Sequence, residues 1–203
     1  MKKIMFMAAF AVFGLSNGFA QEAETTYGFE EGGIILEGNL GYNSTNDKNT
    51  DIKTSGFTIN PKLGYFLTED FAVGVQANFN SSKREVSGTD VRDNNSFGAG
   101  IFGRYYFLDL GKRFKTYTEL GLEYSTEKDK INDFKANGFG AGLNLGINYF
   151  VTDKIAISFG LADVLSYTST KADGGKAVSS FDGNINVLNN FFETAQFGLL
   201  FKL

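Results

Sequence analysis

From residue 33 to the last residue, the chain alternates apolar with small or polar positions in stretches of about ten residues. Phe71, Val73, Val75, Ala77 and Phe79, for instance, are interleaved with Ala72, Gly74, Gln76 and Asn78. A period of two marks an extended strand whose two faces meet different surroundings. The pattern predicts eight strands, at 33–43, 56–67, 71–80, 97–108, 114–126, 137–151, 154–167 and 193–203. Residues 21–32 are acidic and carry no such pattern, so they read as a lead-in. The stretch GYFLTEDFAV at 64–73 returns as NYFVTDKIAI at 148–157, which makes the repeating unit a hairpin.

The connections sort by length. Segments 44–55, 81–96, 127–136 and 168–192 are long and rich in Asn, Asp, Ser, Thr, Lys and Gly, whereas 68–70, 109–113 and 152–153 are short. Long loops on one rim and tight turns on the other predict an all-β, eight-stranded antiparallel up-and-down barrel that crosses a membrane. Both chain ends then lie on the short-turn side.

Phase assigns the faces. Ala195, Phe197, Leu199, Phe201 and Leu203 share one side of the final strand, as Phe139, Ala141, Leu143, Leu145, Ile147 and Tyr149 do in the sixth. These sets are large and uncharged, and they read as lipid-facing. Tyr65, Phe71, Tyr105, Phe107, Phe114, Tyr149 and Phe201 fall near the short turns, and Tyr42, Phe57, Phe79, Phe97, Tyr124, Phe139 and Tyr167 near the long loops. Two aromatic girdles match the two interfaces of a bilayer. A soluble, secreted ligand-binding barrel would turn its large apolar groups inward, and an outward apolar band would make it aggregate.

The other phase collects Glu37, Asn39, Lys62, Gln76, Arg104, Glu119, Glu123, Asn144 and Lys202, interleaved with glycines. The interior of an eight-stranded barrel is only wide enough for side chains to fill, and unpaired buried charge costs several kcal/mol. Glu37, Lys62, Arg104, Glu119, Glu123 and Lys202 are therefore expected to form an interior charge network, centred on Arg104 with Glu119 and Glu123. Asp163 fits badly, because its phase aims it at lipid. Either it lies above the hydrocarbon or a bulge turns it inward.

The start of the chain reads as an export signal over residues 1–20, with basic Lys2 and Lys3, an apolar core from Ile4 to Leu15 and a small-x-small site at Gly18-Phe19-Ala20. Its apolar core is too short to span a bilayer. The expected organisation is thus signal peptide 1–20, periplasmic lead-in 21–32 and barrel 33–203. After the signal no run of eighteen apolar residues occurs, but a tilted barrel strand needs only about 9–11 residues to cross. Cysteine is absent, so no disulfide framework exists. The formal charge of −4 becomes −6 once Lys2 and Lys3 are removed, which gives no basic surface for nucleic acid.

Candidate chemistry is sparse. Gly98, Gly100 and Gly103 match a dinucleotide fingerprint, and Glu119 follows at a suitable distance, but that motif needs a helix after it. Here Arg104-Tyr105-Tyr106-Phe107 continues a strand, and small residues on the inner face of a narrow barrel explain the glycines. Histidine is absent, which removes Ser-His-Asp triads and the usual zinc ligand sets. The loop Asp and Asn clusters lack EF-hand spacing. No catalytic residue, cofactor site or metal site is predicted.

On these girdled strands, the loop asymmetry, the inner Arg104 and Glu119 and the terminal Phe197-Gly198-Leu199-Leu200-Phe201-Lys202-Leu203, the chain resembles the small bacterial outer-membrane barrels of the OmpA/OmpX type, the outer membrane protein beta-barrel domain family. The resemblance spans residues 33–203. It implies an outer-membrane location with extracellular loops and periplasmic termini, and outer-membrane lipid as the surrounding partner. It also implies that Phe197, Leu199, Phe201 and Leu203 form the assembly signal read by the barrel-assembly machinery, with Leu203 standing where the family usually closes on an aromatic. The implied role is non-enzymatic, in envelope integrity or adhesion and surface contact. A narrow porin-like channel for ions or small solutes is the alternative.

Overall fold

The computed structural model describes residues 26–184 and 196–203. The expected signal peptide, residues 21–25 of the lead-in and residues 185–195 lie outside the described residues. So do the end of the last expected loop and the first residues of the expected final strand.

Nine strands follow one another: β1 Ile34–Asp47, β2 Ile52–Phe66, β3 Phe71–Val86, β4 Thr89–Leu110, β5 Phe114–Asp129, β6 Phe134–Phe150, β7 Ile155–Ala172, β8 Ala177–Gly183 and β9 Gln196–Lys202. Each strand from β1 to β7 pairs antiparallel with the next in the chain. β9 then pairs with β7 on one side and β1 on the other, which closes the ring. Closure leaves far less unpaired edge than an open sheet of the same size. The last stave comes in two pieces. β9 lies along Ile155–Gly160 of β7, and β8 lies along Leu165–Lys171 above it.

The short turns repeat one local solution. At 67–70 the Thr68 hydroxyl accepts hydrogen bonds from the N–H groups of Asp70 and Phe71, at 3.3 and 3.1 Å. At 151–154 the Thr152 hydroxyl does the same for Lys154 and Ile155, at 3.2 and 3.0 Å. A hydroxyl that accepts from the amides two and three residues on favours a tight turn, which gives the echo between 64–73 and 148–157 a physical content.

On the other rim the expected loops are a correction. Segments 44–55, 81–96 and 127–136 are mostly strand, reversed at 48–51, 87–88 and 130–133. Segment 168–192 contains the end of β7 and all of β8. Ser87 and Gly88 both have positive φ, +50° and +79°, as a two-residue type I′ hairpin turn requires. In these segments both faces of a strand are largely exposed, so hydrophobic alternation vanishes while backbone pairing continues. A reading based on hydrophobic period stops where lipid stops, not where the strand does.

Outside, Val75, Ile101, Leu120, Phe197 and Leu199 are exposed along the middle of the wall. The girdle aromatics pair across strands: Phe79 with Phe97 at 4.9 Å near one rim, Phe114 with Tyr149 at 4.8 Å near the other. A bulge between Tyr106 and Leu108 leaves Phe107 out of the β4–β5 ladder, and its ring is exposed.

Candidate functional site: the layered lumen

The interior is best followed from the short-turn end. Residues just before β1 enter the mouth of the barrel, bent there by Gly28 and Gly32 at φ +142° and +82°. The Gly32 N–H donates to the Phe66 carbonyl at 2.9 Å, and the Phe66 N–H donates to the Gly33 carbonyl at 2.9 Å. Phe29 stacks on Phe66 at 4.4 Å between ring centroids and lies 4.5 Å from Tyr106 and 5.3 Å from Phe150. Tyr27 meets Phe150, with the Arg113 guanidinium 4.6 Å from the centre of the Tyr27 ring. Together with buried Ile35, Ala72, Ala156 and Leu200, these rings form an apolar stopper. Sequence reasoning missed Tyr27 and Phe29. Their only signal is two aromatics, two positions apart, beside glycines.

Above the stopper sits the ionic layer. β4 and β5 place Arg104 directly opposite Glu119, and β1 and β2 place Glu37 opposite Lys62. Arg104 Nε donates to Glu119 Oε2 at 2.8 Å, and Nη1 donates to Glu37 Oε2 at 2.6 Å and to the Tyr106 hydroxyl at 3.2 Å. The Lys62 ammonium pairs with Glu119 Oε1. The Arg104 guanidinium also lies 4.1 Å from the centre of the Tyr117 ring and 5.6 Å from that of Phe102. Below it, the Tyr106 hydroxyl donates to Asn148 Oδ1 at 2.8 Å, and Asn148 Nδ2 donates to Ser158 Oγ at 2.6 Å. Arg104 is completely buried and Glu119 nearly so. Two cations and two carboxylates balance, as buried charge requires.

The inner glycines make this packing fit. A Cβ on Gly74 would stand 2.6 Å from Phe102 Cζ, and one on Gly146 would stand 2.8 Å from Tyr117 Cε1. A Cβ on Gly98, from the dinucleotide-like stretch, would stand 2.7 Å from Glu123 Oε1. These glycines clear space for larger inward neighbours.

Toward the long hairpins the filling stops. A cavity of about 550 Å³ is lined by Asn39, Asn60, Gln76, Asn78, Glu123 and Asp163 among others. Register shifts opposite Leu143/Asn144 and Leu145/Gly146, where β7 carries the extra residues Val164 and Leu161, turn Asp163 toward the lumen, opposite Asn144. Two residues expected in the charge network stand apart from it. Glu123 accepts a hydrogen bond from Asn78 Nδ2 at 2.9 Å but has no cationic partner among the described residues. Lys202 lies opposite Ile35 near the short-turn rim and joins no ion pair among the described residues. It is one step past buried Leu200, where the lumen already meets solvent.

The hairpin tips are held by local polar contacts. The Thr50 hydroxyl and the Asn49 N–H keep the Asp47 carboxyl below the usual carboxylate range. The Asn132 side chain, followed by backbone N–H groups, does the same for Asp129. Among the described residues no group of three or more His, Cys, Asp or Glu converges on a metal-sized space. No helix is long and apolar enough to cross a membrane, which says nothing of crossing by strands.

A ring closed by eight staves, with exposed apolar and aromatic side chains outside and polar ones inside, is a β-barrel of the outer-membrane class. The family model described as "Outer membrane protein beta-barrel domain" matches residues 6–191, and the chain belongs to that family. It is accordingly an outer-membrane protein. Among solved structures, the outer membrane protein OprG from Pseudomonas aeruginosa is similar at 15% identity over 87% of this chain and 98% of that one, with a TM-score of 0.48. The E. coli outer membrane protein W is similar at 14% identity over 86% and 99%, with a TM-score of 0.44. Neisserial surface protein A is similar at 16% identity over 84% and 96%, with a TM-score of 0.42. A search of curated proteins gives no match.

Proposed function

We propose that the protein is a closed, non-enzymatic outer-membrane barrel that acts through its long hairpins, in envelope integrity or in adhesion and surface contact. The observation that carries this reading is the double closure of the lumen, by the Tyr27–Phe29 stopper and by the Arg104 layer above it. A continuous water path would have to pass between side chains that are already in contact. In this reading the long hairpins are extracellular and both termini periplasmic. Outer-membrane lipid surrounds the wall, and the barrel-assembly machinery reads β9 during biogenesis through Phe197, Leu199, Phe201 and the final Leu203.

Planar-bilayer recording from the purified protein tests the closure. Wild type is expected to give no steady conductance. A steady open level in wild type would replace this reading with that of a narrow porin-like channel.

A further inference from the structure

The cavity above the ionic layer has a charge that nothing around it answers. Glu37, Lys62, Arg104 and Glu119 neutralise one another. That leaves Glu123 and Asp163, both on the cavity wall, with no Lys or Arg within ion-pair distance among the described residues. Residues 185–195 contain neither Lys nor Arg, so they bring no counter-charge either. The partners that the two carboxylates do have are amides. Asn78 donates to Glu123 Oε1 at 2.9 Å, and in the amide orientation that satisfies both groups Asn144 donates to Asp163 Oδ1 at 3.2 Å. An amide orients a carboxylate without cancelling its charge, so both groups keep their negative charge on the solvent-open wall of the cavity.

We propose that this cavity is a binding well for a small, extended organic cation of the polyamine class. Its volume lies within the range of small-molecule sites, roughly 300–1,000 Å³. Glu123 on β5 stands opposite Gly140 of β6, and Asp163 on β7 stands opposite Asn144 of β6. The carboxylates are therefore two staves and four register positions apart, on the order of 16 Å between Cα atoms. That spacing suits two ammonium groups on one flexible chain better than a single compact ion. The facing wall, formed by β1 to β3, offers amides: Asn39 and Asn60, bonded to each other at 2.7 Å, and Gln76, whose amide makes no hydrogen bond among the described residues. A divalent metal would need a converging shell of oxygens, and no three acidic side chains converge among the described residues.

Calorimetric titration of the whole barrel in detergent micelles tests this, with spermidine, the neutral chain triethylene glycol and calcium chloride as probes. Spermidine is expected to bind saturably at one site, and triethylene glycol not at all. Glu123→Gln/Asp163→Asn should weaken spermidine at least tenfold, whereas Asp47→Asn at a hairpin tip should leave it unchanged. Far-UV circular dichroism and heat-dependent gel mobility establish that the variants are folded, and Asp163→Asn alone serves if the double variant is not. The inference is overturned by the absence of saturable spermidine binding to wild type, by equal binding to the variant, or by calcium displacing spermidine. The conductance result bears on closure alone, so the two ideas fail separately.

Discussion

The two ends of the lumen are enclosed by the same wall and filled in opposite ways. At the short-turn end, Phe29, Phe66 and Phe150 pack beneath a buried ion-pair layer that Tyr106 and Tyr117 touch, and little space remains. At the long-hairpin end, glycines and amides leave an open cavity of about 550 Å³, and the strands continue into hydrophilic hairpins. From β1 to β7 the same backbone ladders run through both ends, and only the last stave is split, between β8 and β9. What differs is only which side chains occupy the inner phase, so rigidity and openness are set residue by residue on one scaffold. The closed end should carry most of the stability and the open end most of the tolerance to change.

The strongest way to break that contrast is Arg104→Ala. It would leave Glu37 and Glu119 buried with only Lys62 to answer them, at a cost of about 3–5 kcal/mol. The chain has no Trp, so unfolding in urea is followed by far-UV circular dichroism and by loss of the heat-dependent gel shift. A midpoint equal to wild type would remove the ionic layer from the account. Glu123→Gln, in the open half, should cost far less in the same assay.

Next comes the outer wall. Leu199 is half exposed on β9 in the lipid-facing phase, and Leu199→Arg near the midplane should cost about 2–4 kcal/mol. The check is the yield of folded protein in lipid vesicles. An unchanged yield would mean that this face does not meet hydrocarbon.

Phe29→Ala separates the stopper from the layer above it. The ring contacts three aromatics but is only partly buried. Its loss should therefore cost about 2 kcal/mol, below the 3–5 typical of a fully buried Phe. With Arg104 and its partners intact, the bilayer should stay non-conducting. If Phe29→Ala alone opens a steady current, the stopper and not the ionic layer is the seal.

Much of this contrast is legible in the sequence. The outward set and the Arg104–Glu119 register follow from period two and from the short turn before Phe114, even across the bulge at Phe107. Inner phase also puts Glu37 in the expected network, but its direct contact with Arg104 does not follow from register, because β1 and β4 are not neighbours in the sheet. It exists only because the ring is narrow enough for side chains to meet across its bore. Tyr27 and Phe29 belong to no periodic segment, so no pattern marks them. The hairpin strands are silent for a different reason: where both faces are wet, composition cannot tell a paired strand from a loop.

The smallest effect should come from the open end. Gly174 and Gly175 form part of the turn between β7 and β8, Gly174 has φ +72°, and a Cβ there would meet nothing within 4 Å. Every residue of β8 is exposed, so little buried contact depends on the turn's length. An epitope inserted between Gly174 and Gly175 should shift the urea midpoint by less than about 0.5 kcal/mol, the ordinary range for surface changes. The same epitope should be reached by antibody on intact cells, because the long hairpins are proposed to be extracellular. Reactivity that appears only after the outer membrane is broken would invert the barrel. In that case the open well would face the periplasm and the aromatic stopper the outside, and any ligand of the well would have to come from within the cell envelope.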